Sequence, residues 1–221
     1  MRTGYRIGLL GGSFNPAHGG HRAISLFARQ ALALDEVWWL VSPGNPLKTG
    51  KDMAPLGARL ARARDVARRA PIRPTAIEAQ LGTRFTVDTL RTIVRRFPRQ
   101  RFVWLMGADN FRQFGQWKNW RAIAHIMPIA VIARPGYDGR VHGSPAMNWL
   151  RRFVRPACQS SEWTNWRPPA LVLLRFRPDP RSATLLRQAT PLWHCEYLDR
   201  RVRDAVTRRE ATAVSHAKER L

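Results

Sequence analysis

Between residues 11 and 21 the chain reads Gly11-Gly12-Ser13-Phe14-Asn15-Pro16-Ala17-His18-Gly19-Gly20-His21. Glycines let a backbone approach a ligand closely. The start of a following helix presents unpaired amides and the positive end of a dipole to an anion. His18 and His21 lie three residues apart, so on a first helical turn their imidazoles share one side. The segment has the makings of a phosphate cradle with two imidazoles in it. Two other uses of these residues stay open: the pair as metal ligands, and a structural loop whose histidines bond main-chain groups. No third ligand is evident nearby in sequence, which weighs against catalytic zinc. The spacing is neither that of the P-loop nor that of the dinucleotide-binding fingerprint.

Such a loop works only if regular elements hold it. Tyr5–Leu10 is a short, mainly apolar run that ends in the glycines, and a helix-period segment follows from about His21 to Leu34, giving strand, glycine-rich turn and helix. Glu36–Val41 reads as a second strand, broken by Ser42-Pro43-Gly44-Asn45-Pro46. Leu56–Ala70 has helical composition with arginines on its outer positions, Ile72–Glu78 reads as a strand and Thr86–Arg96 as a helix. Phe102–Met106, Ile129–Ile132 and Leu171–Leu174 are buried-type strands, and Ser182–Gln188 is a short helix. Strands alternating with helices predict an α/β fold: a Rossmann-like parallel sheet with helices on both faces. Residues 1–198 are expected to form the main domain, with a loop-rich insertion at about 143–169 and a charged C-terminal helix or tail over 199–221.

Composition narrows the setting. The 221 residues carry 38 Lys plus Arg against 15 Asp plus Glu, a formal net charge of +23. Only four of the 38 are lysines, and the arginines are dispersed along the chain, so the excess reads either as a solvated surface shaped by coding bias or as partly serving polyanion binding. A hydrophobic share of 44% excludes a disordered basic tail. Cys158 and Cys195 lack metal-ligand spacing and read as free thiols of a reducing compartment. No apolar run has the ~18 residues of a membrane span, so a cytoplasmic location is expected.

Further segments follow the loop in order: Ser42-Pro43-Gly44-Asn45-Pro46-Leu47-Lys48, Phe85-Thr86-Val87-Asp88-Thr89-Leu90, Gly107-Ala108-Asp109-Asn110 with Phe114, Trp117 and Trp120, Ala133-Arg134-Pro135-Gly136, and Ser182-Ala183-Thr184-Leu185-Leu186-Arg187. Together with the loop's Gly-Ser-Phe-Asn-Pro-x-His-x-Gly-His, this ordered set resembles the nucleotidyltransferase superfamily of adenylyl- and cytidylyltransferases, and within it the bacterial nicotinate-nucleotide adenylyltransferase family. Asn15 stands where many members have Asp, Leu47 interrupts a Pro-Pro-His-Lys type segment, Arg181 replaces an apolar residue, and no Tyr follows Trp117.

The resemblance implies adenylyl transfer from ATP, arriving with Mg²⁺, to the phosphate of nicotinate mononucleotide, with no metal held by the protein alone and no membrane or specific nucleic-acid partner. One anion attacks another, so catalysis calls for cations and donors around the α-phosphate rather than a protein nucleophile. On this resemblance His18, His21, Lys48 and Arg187 are the catalytic residues, His21 meeting the transferred phosphate and Arg187, with Ser182 and Thr184, the β- and γ-phosphates. Gly11, Gly12, Ser13, Phe14, Gly107 and Asp109 complete the ATP site, Asp109 bonding ribose hydroxyls or base atoms. The acceptor falls to Asn15, Lys48, Thr86, Trp117 and Arg134, with Trp117 stacking on the pyridine ring. Asp88 is equally well a helix-start carboxylate, and Trp120 a core residue. Two alternatives accompany this expectation: nicotinamide mononucleotide or another phosphorylated acceptor, and a non-catalytic nucleic-acid-binding protein on the same scaffold.

Overall fold

The computed structural model describes residues 4–44, 53–133, 143–176, 189–198 and 200–211. Seven strands form one sheet in the order β3-β2-β1-β4-β5-β7-β6: β1 (Tyr5–Gly12), β2 (Glu36–Val41), β3 (Ile72–Thr75), β4 (Gln100–Gly107), β5 (Ile129–Ala133), β6 (Val154–Arg155) and β7 (Leu171–Arg175). β1 runs parallel to β4 with Ile7 opposite Phe102, β4 parallel to β5, and β7 parallel to both β5 and β6. Every residue of β2 and of β5 is buried. Strands buried along their whole length belong to parallel sheets covered on both faces, as expected from sequence. A side chain at Gly8 would force two leucines to shift. A Cβ there would sit 2.7 Å from side-chain carbons of both Leu105 and Leu34.

The chain divides into two compact units. One comprises Met1–Leu10, Ile24–Val37 and Phe85–Pro178. It contains α4 (Thr86–Arg96), α5 (Ala108–Phe114), α6 (Trp120–Ile126) and a helix Pro145–Leu150, here α7. Ser144 caps α7, its hydroxyl accepting from the Met147 amide at 3.2 Å, with Pro145 in the first turn. The segment expected to be loop-rich is thus structured: α7, a 3₁₀ turn, β6 and a 3₁₀ run over Ala157–Asn165. Its anchor is the spent end of helix α1 (Gly19–Ala31). The Ser160 hydroxyl donates to the Ala31 carbonyl at 2.7 Å and the Trp163 indole to the Leu32 carbonyl at 2.9 Å, serving acceptors that a helix terminus leaves open. Arg6 lies 5.6 Å from the Trp163 ring and donates to the Ser161 carbonyl.

The other unit comprises Gly11–Ala23, Trp38–Arg84 and Asp179–Leu221. It corrects the sequence reading in three places. The strand expected through Glu78 stops at Thr75, because the Thr75 hydroxyl accepts from the Ile77 amide at 3.1 Å and turns the chain into α3 (Ile77–Leu81). The expected C-terminal helix or tail is, over the described residues, an antiparallel pair β8 (Val202–Arg203) and β9 (Glu210–Ala211). Its turn carries Asp204, fully buried, whose carboxylate accepts from the Thr75 hydroxyl and from the amides of Ala76, Val206 and Thr207 at 2.7–2.9 Å. Third, the arginines of α2 (Leu56–Ala67) are not all on outer positions, since Arg59 is 1% exposed. Cys158 and Cys195 are free and exposed, and no described helix is long and apolar enough to cross a membrane.

Candidate active site

The glycine-rich loop leaves β1 and runs into α1. At Gly12 a Cβ would lie 3.4 Å from the Phe14 ring, and Phe14 itself takes a left-handed φ of 47°. That turn buries Phe14 against Trp39, stacked at 5.0 Å, and sets it 4.8 Å from the His21 ring. His18 closes the helix start. Its carbonyl accepts from the His21 amide at 3.0 Å and its Nδ1 from the Gly20 amide at 3.1 Å. His21 Nδ1 in turn accepts from the His18 amide at 3.3 Å, and the two rings lie 3.9 Å apart. With both Nδ1 atoms accepting from the main chain, the neutral rings carry their protons on Nε2. The pair is a twin donor at a helix start whose first turn holds no acidic residue.

Arg59, expected on an outer position of α2, holds this loop. Its Nη1 donates to the carbonyls of Ser13 at 2.7 Å and Ser42 at 2.6 Å, its Nε to Ala54 at 2.8 Å and its Nη2 to Pro43 at 3.2 Å. Burial pulls its pKa down to about 10, so it stays charged at neutral pH. Asn15 adds a second tie, its Oδ1 accepting from the Ala54 amide at 3.3 Å. The Ser42 amide donates to the Gly12 carbonyl at 3.0 Å, and the Ser42 side chain hydrogen-bonds Glu78. Burial pushes the Glu78 carboxyl up to about 7, and the Ser42 bond opposes that shift. The sequence did hold a signal for Arg59: it lies between Gly57-Ala58 and Leu60-Ala61, a stretch too small and apolar to be a solvated face.

Gly11, Gly12, Ser13, Phe14, Asn15, His18 and His21 are therefore brought together in one unit. Thr86, Gly107, Asp109 and Trp117 belong to the other. Thr86 opens α4, with Asp88 in the same first turn and 3.9 Å from Arg91. Gly107 ends β4 and caps α5; a Cβ there would meet nothing within 4 Å, so packing among the described residues does not require glycine. Asp109 is exposed in the first turn of α5. Trp117 is half-buried, held edge-to-face by Trp104 at 6.4 Å and Phe114 at 5.5 Å, whereas Trp120 is buried. Lys48, Arg134, Ser182, Thr184 and Arg187 lie outside the described residues. Among the described residues no group of three or more His, Cys, Asp or Glu could hold a metal ion.

Residues 9–189 match the cytidylyltransferase-like family model. The chain is 62% identical over 209 residues to a probable nicotinate-nucleotide adenylyltransferase of Erythrobacter litoralis, covering 95% of each chain. It is 48% identical over 188 residues to the protein so named from Parvibaculum lavamentivorans, covering 85% of this chain and 94% of that one. Among solved structures, Plasmodium falciparum nicotinic acid mononucleotide adenylyltransferase complexed with NaAD shares the fold, with a TM-score of 0.60 at 14% identity over 83% of each chain.

Proposed function

The chain belongs to the cytidylyltransferase-like family, and from that premise we propose that it joins ATP to nicotinate mononucleotide, giving nicotinate adenine dinucleotide and pyrophosphate in NAD biosynthesis. The carrying observation is the 62% identity, along nearly the whole of both chains, to a relative named for this activity. In the reaction an oxygen of the acceptor's phosphate forms a bond to the α-phosphorus of ATP. The bond from that phosphorus to the bridging oxygen breaks, and pyrophosphate leaves with the electron pair. No protein atom joins a covalent intermediate, so the chain's part is to position two anions and offset their charge.

The His18–His21 pair suits that task. Two Nε2–H donors fixed at a helix start can bond α-phosphate oxygens and strengthen as charge builds there. Gly11, Gly12, Ser13 and Phe14 supply the backbone of the ATP loop, Gly107 leaves room for close approach, and Asp109 offers a carboxylate to ribose hydroxyls. Asn15, Thr86 and Trp117 serve the acceptor, Trp117 by stacking on the pyridine ring. Lys48 and Arg134 add cations for the acceptor, and Arg187, with the hydroxyls of Ser182 and Thr184, holds the β- and γ-phosphates. ATP enters as its magnesium complex. Magnesium is a hard cation that binds oxygen ligands, and the phosphate oxygens of ATP would carry it into the site. A cytoplasmic site of action accords with this reading.

The direct test is pyrophosphate release from Mg·ATP with nicotinate mononucleotide, nicotinamide mononucleotide and other phosphorylated acceptors in parallel. Preference for the acid in kcat/KM is expected. Equal or better use of the amide overturns the choice of acceptor.

A further inference from the structure

We infer that Arg59 is a positioning residue of the transfer site: a buried guanidinium that clamps the glycine-rich loop to both ends of the chain joining β2 to α2. The inference rests on the preceding reading that this loop meets the nucleotides. Four carbonyls converge on the one side chain, Ser13 from the loop, Ser42 and Pro43 from the end of β2, and Ala54 from the approach to α2. A buried cation is costly unless its donors are satisfied, and an apolar side chain would fill the same space without that cost. What only arginine supplies is a planar fork that donates in several directions at once.

The geometry says what the fork is for. Nη1 takes Ser13 and Ser42 together, so the backbone two residues before Asn15 and the end of β2 are tied through a single nitrogen. Asn15 is tied to Ala54 as well, the residue whose carbonyl takes Nε. A shift of Ser13 is thereby a shift of Asn15 and of the backbone leading to His18. The ATP-side and acceptor-side groups of the loop are set by one clamp, with a full positive charge placed behind a loop that meets anions.

Arg59→Lys keeps the charge but has one nitrogen and no fork. The expected result is a folded enzyme whose KM values for ATP and nicotinate mononucleotide both rise about tenfold, with methylguanidinium restoring part of the turnover of Arg59→Ala. A residue that merely supports folding would lower the active fraction, and with it kcat, and leave both KM values where they were. Unchanged KM values in folded Arg59→Lys, or a rise in only one, overturn the inference. A measurement on the wild-type protein covers the case in which the variants do not fold. Binding of α,β-methylene ATP should slow hydrogen exchange at Ser13–Asn15 and at Ser42 and Gly44 together, and protection confined to the first segment overturns the clamp. Wild-type turnover in the same assay is read separately: its absence sinks the substrate reading, whereas an active wild type with unaffected variants sinks only the role of Arg59.

Discussion

Arginine is used in opposite ways in two regions of this molecule. Beside the glycine-rich loop, Arg59 is 1% exposed and spends its donors on four main-chain carbonyls. On the α6–α7 face the arginines are exposed and lie on rings: Arg121 is 4.7 Å from Trp120, and Arg152 is 5.7 Å from Trp149 and 5.0 Å from Phe153. Trp149 meets Trp120 edge-on at 5.4 Å, so the arginines cover an aromatic cluster that is already packed. A guanidinium on a wet aromatic face contributes roughly 0.5–1 kcal/mol. A guanidinium replacing water for several buried carbonyls fixes a loop. A net charge of +23 cannot tell the two apart, whereas burial and the acceptors reached do so at once.

The contrast predicts that polar groups bonded to buried main chain dominate function and stability, while ring-stacked surface cations hardly matter. The largest effect belongs to His21. His21→Ala should lower kcat about 10²–10³-fold, the usual cost of losing a fixed donor to a developing charge, while melting within a few degrees of wild type; turnover within tenfold of wild type breaks the mechanism. Next is Asp204→Ala, which strips a buried carboxylate from four donors and should cost about 3 kcal/mol. Denaturant titration checks that, and a loss below about 1 kcal/mol would mean the β8–β9 turn is dispensable.

Glu78 gives a pH signature. Its carboxyl sits at about 7 in the folded chain against the ordinary 4.5 of an exposed glutamate, so the unfolded state releases the proton first as pH rises. Wild-type stability should therefore fall between about pH 4.5 and 7, by at most about 3 kcal/mol, and level off above. Glu78→Gln should flatten that slope; an unaltered slope assigns it to other groups. The smallest effect is expected for Arg152→Ala, under about 1 kcal/mol with unchanged kcat/KM, and a large loss of activity there would erase the distinction between the two kinds of arginine.

Legibility in the sequence followed the same division. Long apolar strands and the loop motif could be read because their signals are local: the run Ile129–Ile132 is a buried strand by composition, and His18 and His21 share a side by spacing alone. What escaped depends on partners far along the chain. Thr75 ends β3 with the help of Asp204, more than a hundred residues away, and two-residue strands such as β8 and β9 have no period to detect. Trp163 and Ser160 fall in the stretch expected to be loop-rich, and only the open carbonyls at the end of α1 give them a purpose. Arg59 escaped because an arginine at helical spacing in an arginine-rich chain resembles its exposed neighbours.

The hydrogen bonds to the two imidazole Nδ1 atoms have one more consequence. A histidine that relays protons must let its two nitrogens trade roles during turnover, taking a proton at one and giving it up at the other. Each ring here has one nitrogen committed to an amide of its own chain, and a trade would break that bond. The pair is thus a poor choice for ferrying protons, and in the proposed reaction its part is to polarise. That suits a transfer whose attacking phosphate oxygen is already ionised and has no proton to hand over.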